Sequence, residues 1–512
     1  MTSLWKRALP IIPVVGVAGL AAYDLLQKRH AILRNFPVVG HARYALEAVG
    51  PELRQYIVSS NDEERPFSRN QRRWIYASSK LQNNYFGFGA DNDTEFTQGY
   101  PIIKHRTFSD IAPATKANRG RGDNVPAAKV LGGHRERRGA FRPASVVNVS
   151  AMSFGSLSAA AIEAVNRGAA KAGAMHNTGE GGISDHHRHG ADLTLQIGTS
   201  YFGCRDENGR FDLTKLIDIV DSNPVKAIEI KLSQGAKPGL GGLLPGAKVT
   251  PEIAAIRGIP AGVDCASPSR HTEFDSADSL LDWVELLASE TGVPVGIKSA
   301  VGNLDFWSEL VDLMSTTERG VDFVTIDGGE GGTGAAPLIF SESVSLPFRI
   351  GFSRVYAQFA EAGIADHVVF IGSGKLGLPD NAVVAFALGC DMVNVAREVM
   401  MSIGCVQAQK CHTGKCPTGI ATQDKWLAHG LEPLTKADRA ANYIRTLRRD
   451  LLKVSEACGV AHPGLITTDD LDILNGHESA TTLRKVYGYE AKWGVPNEFD
   501  AAEISTIMNG PR

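Results

Sequence analysis

"HVVFIGSGKLG", residues 367–377, decides the fold. A β-branched, apolar run enters a turn at Gly372, Ser373 and Gly374, and a helical pattern follows. Apolar content on both faces marks a strand covered on both sides, as in a parallel sheet flanked by helices. The same phrase recurs outward along the chain: "SVVNVSAM" (145–152), "AIEIKL" (227–232), "VPVGIKSA" (293–300), "FVTIDGG" (323–329) and "MVNVAREV" (392–399). Helical stretches lie between, clearest at 156–173 and 276–292, each closed by glycine. An open doubly wound sheet and a closed barrel compete. The open sheet concentrates function at one switch point, whereas a barrel carries it on the turns after its strands. Nearly every strand here ends in a Gly/Ser/Asp/Lys-rich turn. The α/β class therefore resolves to a (β/α)8 TIM barrel over 144–425, with a helical extension at 426–512.

The 512 residues accommodate one such domain with appendages. A net charge of −3 gives no field that calls for nucleic acid. Glycine, at 54 residues, is in excess and falls in bursts between apolar runs, where backbone must approach a ligand closely. Seven cysteines in so long a chain make no disulfide framework, and a reducing compartment fits. Cys204, Cys265, Cys390 and Cys458 read as buried structural thiols. Residues 36–143 read as a polar, helical lead-in. Before it, Ala8 to Tyr23 is apolar throughout, between Lys6-Arg7 and Lys28, Arg29 and Arg34. Residues 1–35 are thus expected to be a short single-pass membrane anchor, with the catalytic domain on the cytoplasmic side by the positive-inside rule. An uncleaved interfacial helix and a signal peptide are the alternatives.

Several motifs carry chemistry. Gly372 and Gly374 end one late strand, and Ala396 and Arg397 end the next. Paired one unit apart on the last strands of a barrel, such turns hold a phosphate through backbone N–H groups, with Arg397 adding a charged contact. "IDGGEGGTGAAP" (326–337), with Gly331 and Gly332, lets backbone lie against a flat or anionic group. "NTGEGG" (177–182) does the same and carries Glu180. "KLSQGAKPGLGGLLPG" (231–246) presents Gln234 and Lys237. Lys298, within an apolar strand, must face the barrel mouth or bear a desolvation penalty. Finally, Cys405, Cys411 and Cys416 are spaced C-x5-C-x4-C. Thiols this close are metal ligands far more often than chance neighbours. Zinc with His412 as a fourth ligand is one reading. A 3Fe–4S cluster suits a set of three better.

The combination of "NTGEGG", "QGAKPGLGGLLPG", "DGGEGGTGAAP" and "CHTGKCPTGIATQ" resembles the FMN-binding synthase domain of glutamate synthases, from about 145 to 425. The resemblance implies a (β/α)8 barrel with FMN and a 3Fe–4S cluster, reducing 2-iminoglutarate, formed from 2-oxoglutarate, to L-glutamate. Cys405, Cys411 and Cys416 match its cluster ligands, and Ala151, Met152 and Ser153 match flavin contacts. Lys237 and Arg257 look like the pair that holds the 2-oxoglutarate carboxylates, with Gln234 and Glu180 nearby. Lys298 suits the cation beside a flavin's N1.

The sequence departs from that family where its loop usually reads "AKPGEGGQLPG": Leu240 and Leu243 replace a glutamate and a glutamine. "SPSRHTE" (267–273) likewise replaces "SPPPHHD". No counterpart of the family's glutaminase domain is present, so free ammonium or a separate glutaminase or amidotransferase subunit is expected as the nitrogen source. Ferredoxin or a similar carrier is the expected electron donor, with Arg439, Arg445, Arg448, Arg449 and Lys453 as its candidate dock. A membrane-bound flavin-dependent amine or amino-acid dehydrogenase and an electron-relay subunit are the alternative functions.

Overall fold

The computed structural model describes residues 11–50, 64–85, 87, 89–90, 94, 97–109, 124–476 and 479–509. Eight parallel strands close on themselves: β1 (Val147–Val149), β2 (His176–Asn177), β3 (Leu193–Ile197), β4 (Val225–Lys231), β5 (Val295–Ser299), β6 (Phe323–Asp327), β7 (Val369–Ser373) and β8 (Met392–Val395). Closure comes from β8 pairing with β1, Val393 opposite Val147 and Val395 opposite Val149. Both faces of the strands are buried, as the uninterrupted apolar runs require.

The predicted helices form where their caps stand. After α1 (Ile11–Leu26) and α2 (Arg69–Ser79), helix α3 (Ala159–Ala172) starts at Ser158, whose side chain accepts from Ala161 N, and ends on Gly173 in the left-handed region. Ala277–Thr291 does the same between Ser276 and Gly292. The long helix α4 (Pro433–Ala457) lies against α3 so closely that a Cβ on Gly168 would collide with Ala440 and the Ala437 carbonyl.

The flanking regions are less helical than expected. Gln98–Ile103, from the lead-in, pairs antiparallel with Leu471–Gly476, which pairs with Ser479–Thr482 in a three-stranded sheet. Alternating burial along Leu471–Gly476 is the period-two pattern of that strand. Residues 124–145 are a plug. Leu131 and Phe141 exchange backbone hydrogen bonds of 2.8 and 3.1 Å, and Leu131 enters the barrel interior beside Met175, Phe323 and Met392. Residues 118–123, all of "NRGRGDN" but its last asparagine, and part of the charged stretch from 59 fall outside the described residues.

The membrane anchor is overturned. Among the described residues no helix is long and apolar enough to cross a membrane. Helix α1 (Ile11–Leu26) has 16 residues, about 24 Å at the usual helical rise, against a hydrocarbon core of about 30 Å. Near its end stands Asp24, wholly buried, which accepts from Val38 N at 2.8 Å and His41 Nε2 at 2.9 Å. Asn35, just beyond, donates to the carbonyls of Pro417 and Leu427, both at 2.9 Å. The apolar run is therefore followed by a polar dock onto the protein's own body. Ala8 to Pro10 lie outside the described residues.

Candidate functional site

The C-terminal strand ends gather most of the expected residues. Glu180, in the loop after β2, receives Lys231 Nζ at 2.6 Å from the end of β4. Lys237, in the loop after β4, is buried and donates to Gly241 O at 3.4 Å. Arg257 ends the helix Pro251–Arg257 and is buried over the Phe202 ring. Its guanidinium reaches Phe154 O at 3.3 Å and Ser153 Oγ at 3.5 Å, while its Nε is buried without a partner. Burial alone would push the Glu180 carboxyl up, but Lys231, Lys237 and Arg257 outweigh it and bring its pKa down to about 2. Lys237 goes the other way: burial, then the Lys231 charge, lowers it to about 8 against the pull of Glu180. Gly198 and Gly242 make this packing possible, because a Cβ on either would press against the Glu180 carboxylate. The result is a cluster in which three cations act on one carboxylate. Lys231 escaped the sequence reading.

Gln234 does not join this cluster. Its amide crosses to Gly332 O at 3.1 Å. Lys298 is not a free mouth cation either. It is buried, 3.6 Å from Asp327 Oδ2, and although burial lowers its pKa, Asp327 and Glu229 raise it above the ordinary lysine value. Glu229 lies below, inside the barrel, accepting from Asn177 (2.8 Å), Gln196 (2.7 Å) and Thr325 (2.8 Å).

The late strand ends form a second cluster. Gly374 has φ +120°, and a Cβ there would meet the backbone of Gly328, so the turns after β7 and β6 touch. A Cβ on Gly372 would meet Leu376, Cys390 and Phe348, so the side-chain face of this position packs against the surrounding helices. Arg397, following Ala396, lies across Gly332 and donates to Glu330 O. Gly331 N closes a turn onto Gly328 O at 3.0 Å. Lys375 joins Arg397 here, donating to Pro66 O at 2.6 Å. Burial lowers the pKa of both, and neither makes an ion pair among the described residues. Two half-buried cations on the last strand ends, neither in an ion pair, fit an anionic group such as the phosphate of FMN. Ala151, Met152 and Ser153 follow β1 beside Gly179, which packs on the Ser153 backbone.

The cysteine loop follows β8. Burial, then the charges of Cys416 and Cys411, pushes Cys405 up to about 12. Burial and Cys416 raise Cys411, against the pull of Lys248. The three thiols therefore lie within electrostatic reach of one another. Gln407 N–H points at Cys405 Sγ (3.4 Å), and Lys248 Nζ donates to Cys411 O (2.8 Å). Among the described residues no group of three or more His, Cys, Asp or Glu side chains converges tightly enough to hold a single metal ion. That geometry disfavours the zinc reading, and His412 is exposed. A larger centre seats its ligands further apart and draws off the thiol protons on binding, so three cysteines on one loop fit an iron–sulfur cluster as its donor set. The loop after β6 joins the two clusters: Gly332 packs on Arg397 and Gly334 on Cys411.

The basic row on α4 does not form a free dock. Arg448 is fully buried, Arg445 donates to Lys171 O, Arg449 to Thr446, and Lys453 pairs with Asp450.

Residues 123–461 match the family model described as the conserved region in glutamate synthase. The glutamate synthase large subunit-like protein YerD of Bacillus subtilis is 37% identical over 481 residues, 88% of this chain and 91% of that one. The archaeal-type glutamate synthase (NADPH) of Thermotoga maritima is 35% identical over 318 residues, 61% of this chain and 59% of its own length. Among solved structures, a mandelate oxidase with a monooxide FMN adduct superposes with a TM-score of 0.41 at 13% identity, covering 85% of this chain and 99% of that one.

Proposed function

This chain belongs to the glutamate synthase family, and from that premise we propose that it aminates 2-oxoglutarate reductively, through 2-iminoglutarate, to L-glutamate, using FMN and a 3Fe–4S cluster. Family members are oxidoreductases acting on CH–NH2 groups, and this chain is an enzyme of that class. The observation that supports the substrate is the cluster of Lys231, Lys237 and Arg257 acting on Glu180, whose excess positive charge suits a dicarboxylate. Lys237 Nζ and the Arg257 guanidinium hold the two carboxylates. Glu180, ionised and paired with Lys231, holds that lysine in place and balances part of the charge.

Lys375 and Arg397 would hold the FMN phosphate. Cys405, Cys411 and Cys416 would hold the cluster. When bound, the flavin supplies the reducing equivalents at the carbon that becomes aminated, and the cluster relays electrons to it. The loop carrying Gly332 and Gly334 bridges their seats. Electrons come from a ferredoxin-like carrier. Lys410, His412 and Lys415, exposed on the cysteine loop itself, suit an acidic carrier better than the occupied face of α4. Nitrogen arrives as ammonium, free or from a separate amidotransferase.

A second reading changes only the keto acid. Leu240 and Leu243 are exposed on either side of Gly241 and Gly242, which touch Lys237 and Glu180. An apolar rim at that place favours a 2-keto acid with an aliphatic tail. The test is turnover by anaerobically purified holoprotein with reduced ferredoxin, ammonium and either 2-oxoglutarate or 2-oxoisocaproate. Glutamate formation supports the first reading and leucine formation the second. Flavin that is reduced yet aminates neither acid contradicts both.

A further inference from the structure

The lead-in sends a short strap across both cofactor seats. Phe67 is fully buried although it precedes the barrel by some eighty residues of chain. Its ring meets both cations of the late strand ends, Lys375 Nζ and the Arg397 guanidinium, each 5.0 Å from its centroid. Its backbone is clamped by one side chain of the cysteine loop. Gln407 Oε1 accepts from Phe67 N at 3.1 Å, and Gln407 Nε2 donates to Phe67 O at 3.0 Å. Gln407 is itself held in the left-handed region, at φ +57°, and its own N–H is the group that meets Cys405 Sγ. Further contacts repeat the pattern: Gln409 Nε2 donates to Arg65 O at 3.1 Å, and Tyr76 Oη donates to Cys405 O at 2.7 Å.

We propose that Gln407 is a positioning residue that couples the phosphate end of the flavin seat to the iron–sulfur ligand Cys405 through the Phe67 strap. The inference rests on the cofactor reading above. Two cations placed by an aromatic ring, rather than by a carboxylate, keep their charge available to a phosphate. A backbone amide aimed at a ligand sulfur tunes the potential of a cluster. Because one side chain fixes the ring and its own amide meets the sulfur, disturbing either end disturbs the other.

The test compares wild type, Gln407→Leu and Phe67→Leu as anaerobically purified holoproteins. Three quantities are read: the Kd for added FMN, the EPR spectrum of the oxidised cluster with its midpoint potential, and Tm. Gln407→Leu is expected to weaken FMN binding about tenfold, which is about 1.4 kcal/mol, and to shift both the EPR line shape and the potential. Phe67→Leu, which keeps the packing volume apolar but removes the ring, is expected to weaken FMN binding and shift the EPR line shape in the same direction. Loss of Tm with FMN affinity and cluster spectrum both unchanged overturns the coupling, as does a change confined to one cofactor in both variants. A wild type that holds neither flavin nor cluster overturns the cofactor reading itself and the coupling with it.

Discussion

The two ends of the barrel treat charge in opposite ways. At the N-terminal end, buried charges are matched within the chain. Arg137 binds Asp322 at 3.1 Å and Glu285 at 2.6 Å, and Lys129 lies 3.3 Å from Asp391. At the C-terminal rim several are left over: Lys231 takes Glu180 and Lys298 takes Asp327, but among the described residues Lys237 and Arg257 have no ion pair, and Lys375 and Arg397 meet a ring and carbonyls. A matched buried charge fixes the fold. An unmatched one costs stability in the free protein and is retained where a ligand completes it.

Breaking a match at the closed end should give the largest effect on stability. Arg137→Ala strands the Asp322 carboxylate, 1% exposed, and should destabilise the protein by about 3–5 kcal/mol in chemical denaturation. The KM for keto acid in the surviving folded fraction should stay the same. Removing an unmatched cation at the rim should do the reverse. Arg257→Leu is expected to lower kcat/KM for the dicarboxylate roughly a hundredfold, about 2.7 kcal/mol, while Tm holds or rises. A fall in Tm comparable to that of Arg137→Ala would erase the distinction.

Two pH effects sharpen it. The Glu180 carboxyl is depressed to about 2 in the folded protein from an ordinary 4.5. Its contribution is therefore complete above about pH 4.5 and is lost as pH falls through about 2. Glu180→Gln should flatten that acid limb in urea titrations. The smallest effect concerns Lys237, lowered to about 8 from 10.5. In the free protein the ammonium is disfavoured below about pH 8, and that penalty is relieved as pH rises towards 10.5. Dicarboxylate binding needs the ammonium, so KM should rise severalfold above about pH 8. Lys237→Arg should abolish that rise.

The barrel was legible because six short apolar runs, each ending in a turn rich in small and polar residues, cannot be buried on both faces in many other ways, whereas β2 and β3 left no such run. Which residues face its interior was legible too, through parity, but was read incompletely. On β4, Ala227, Glu229 and Lys231 alternate inward, and a glutamate and a lysine at inward positions of a barrel strand signal a site. Lys231 gives no separate signal because it closes a run whose other residues read simply as a strand. On β7, Ile371 and Ser373 face inward, so Gly372 between them had to face the helices. Other contacts are non-local and leave no local pattern. The Phe67–Gln407 clamp joins positions 340 apart in the chain. The buried Asp24 that docks the N-terminal helix was visible only as the first charge after an apolar run.

The most direct measurement is a spectrophotometric titration of anaerobically purified, oxidised holoprotein with 2-oxoglutarate, in wild type and in Arg257→Leu. The unmatched cations should place the acid over the flavin, giving a saturable perturbation of the flavin bands in wild type that Arg257→Leu abolishes and that weakens above about pH 8. A flavin-loaded protein whose spectrum ignores every 2-keto acid, or whose response survives in Arg257→Leu, would contradict the rim's role as a carboxylate seat.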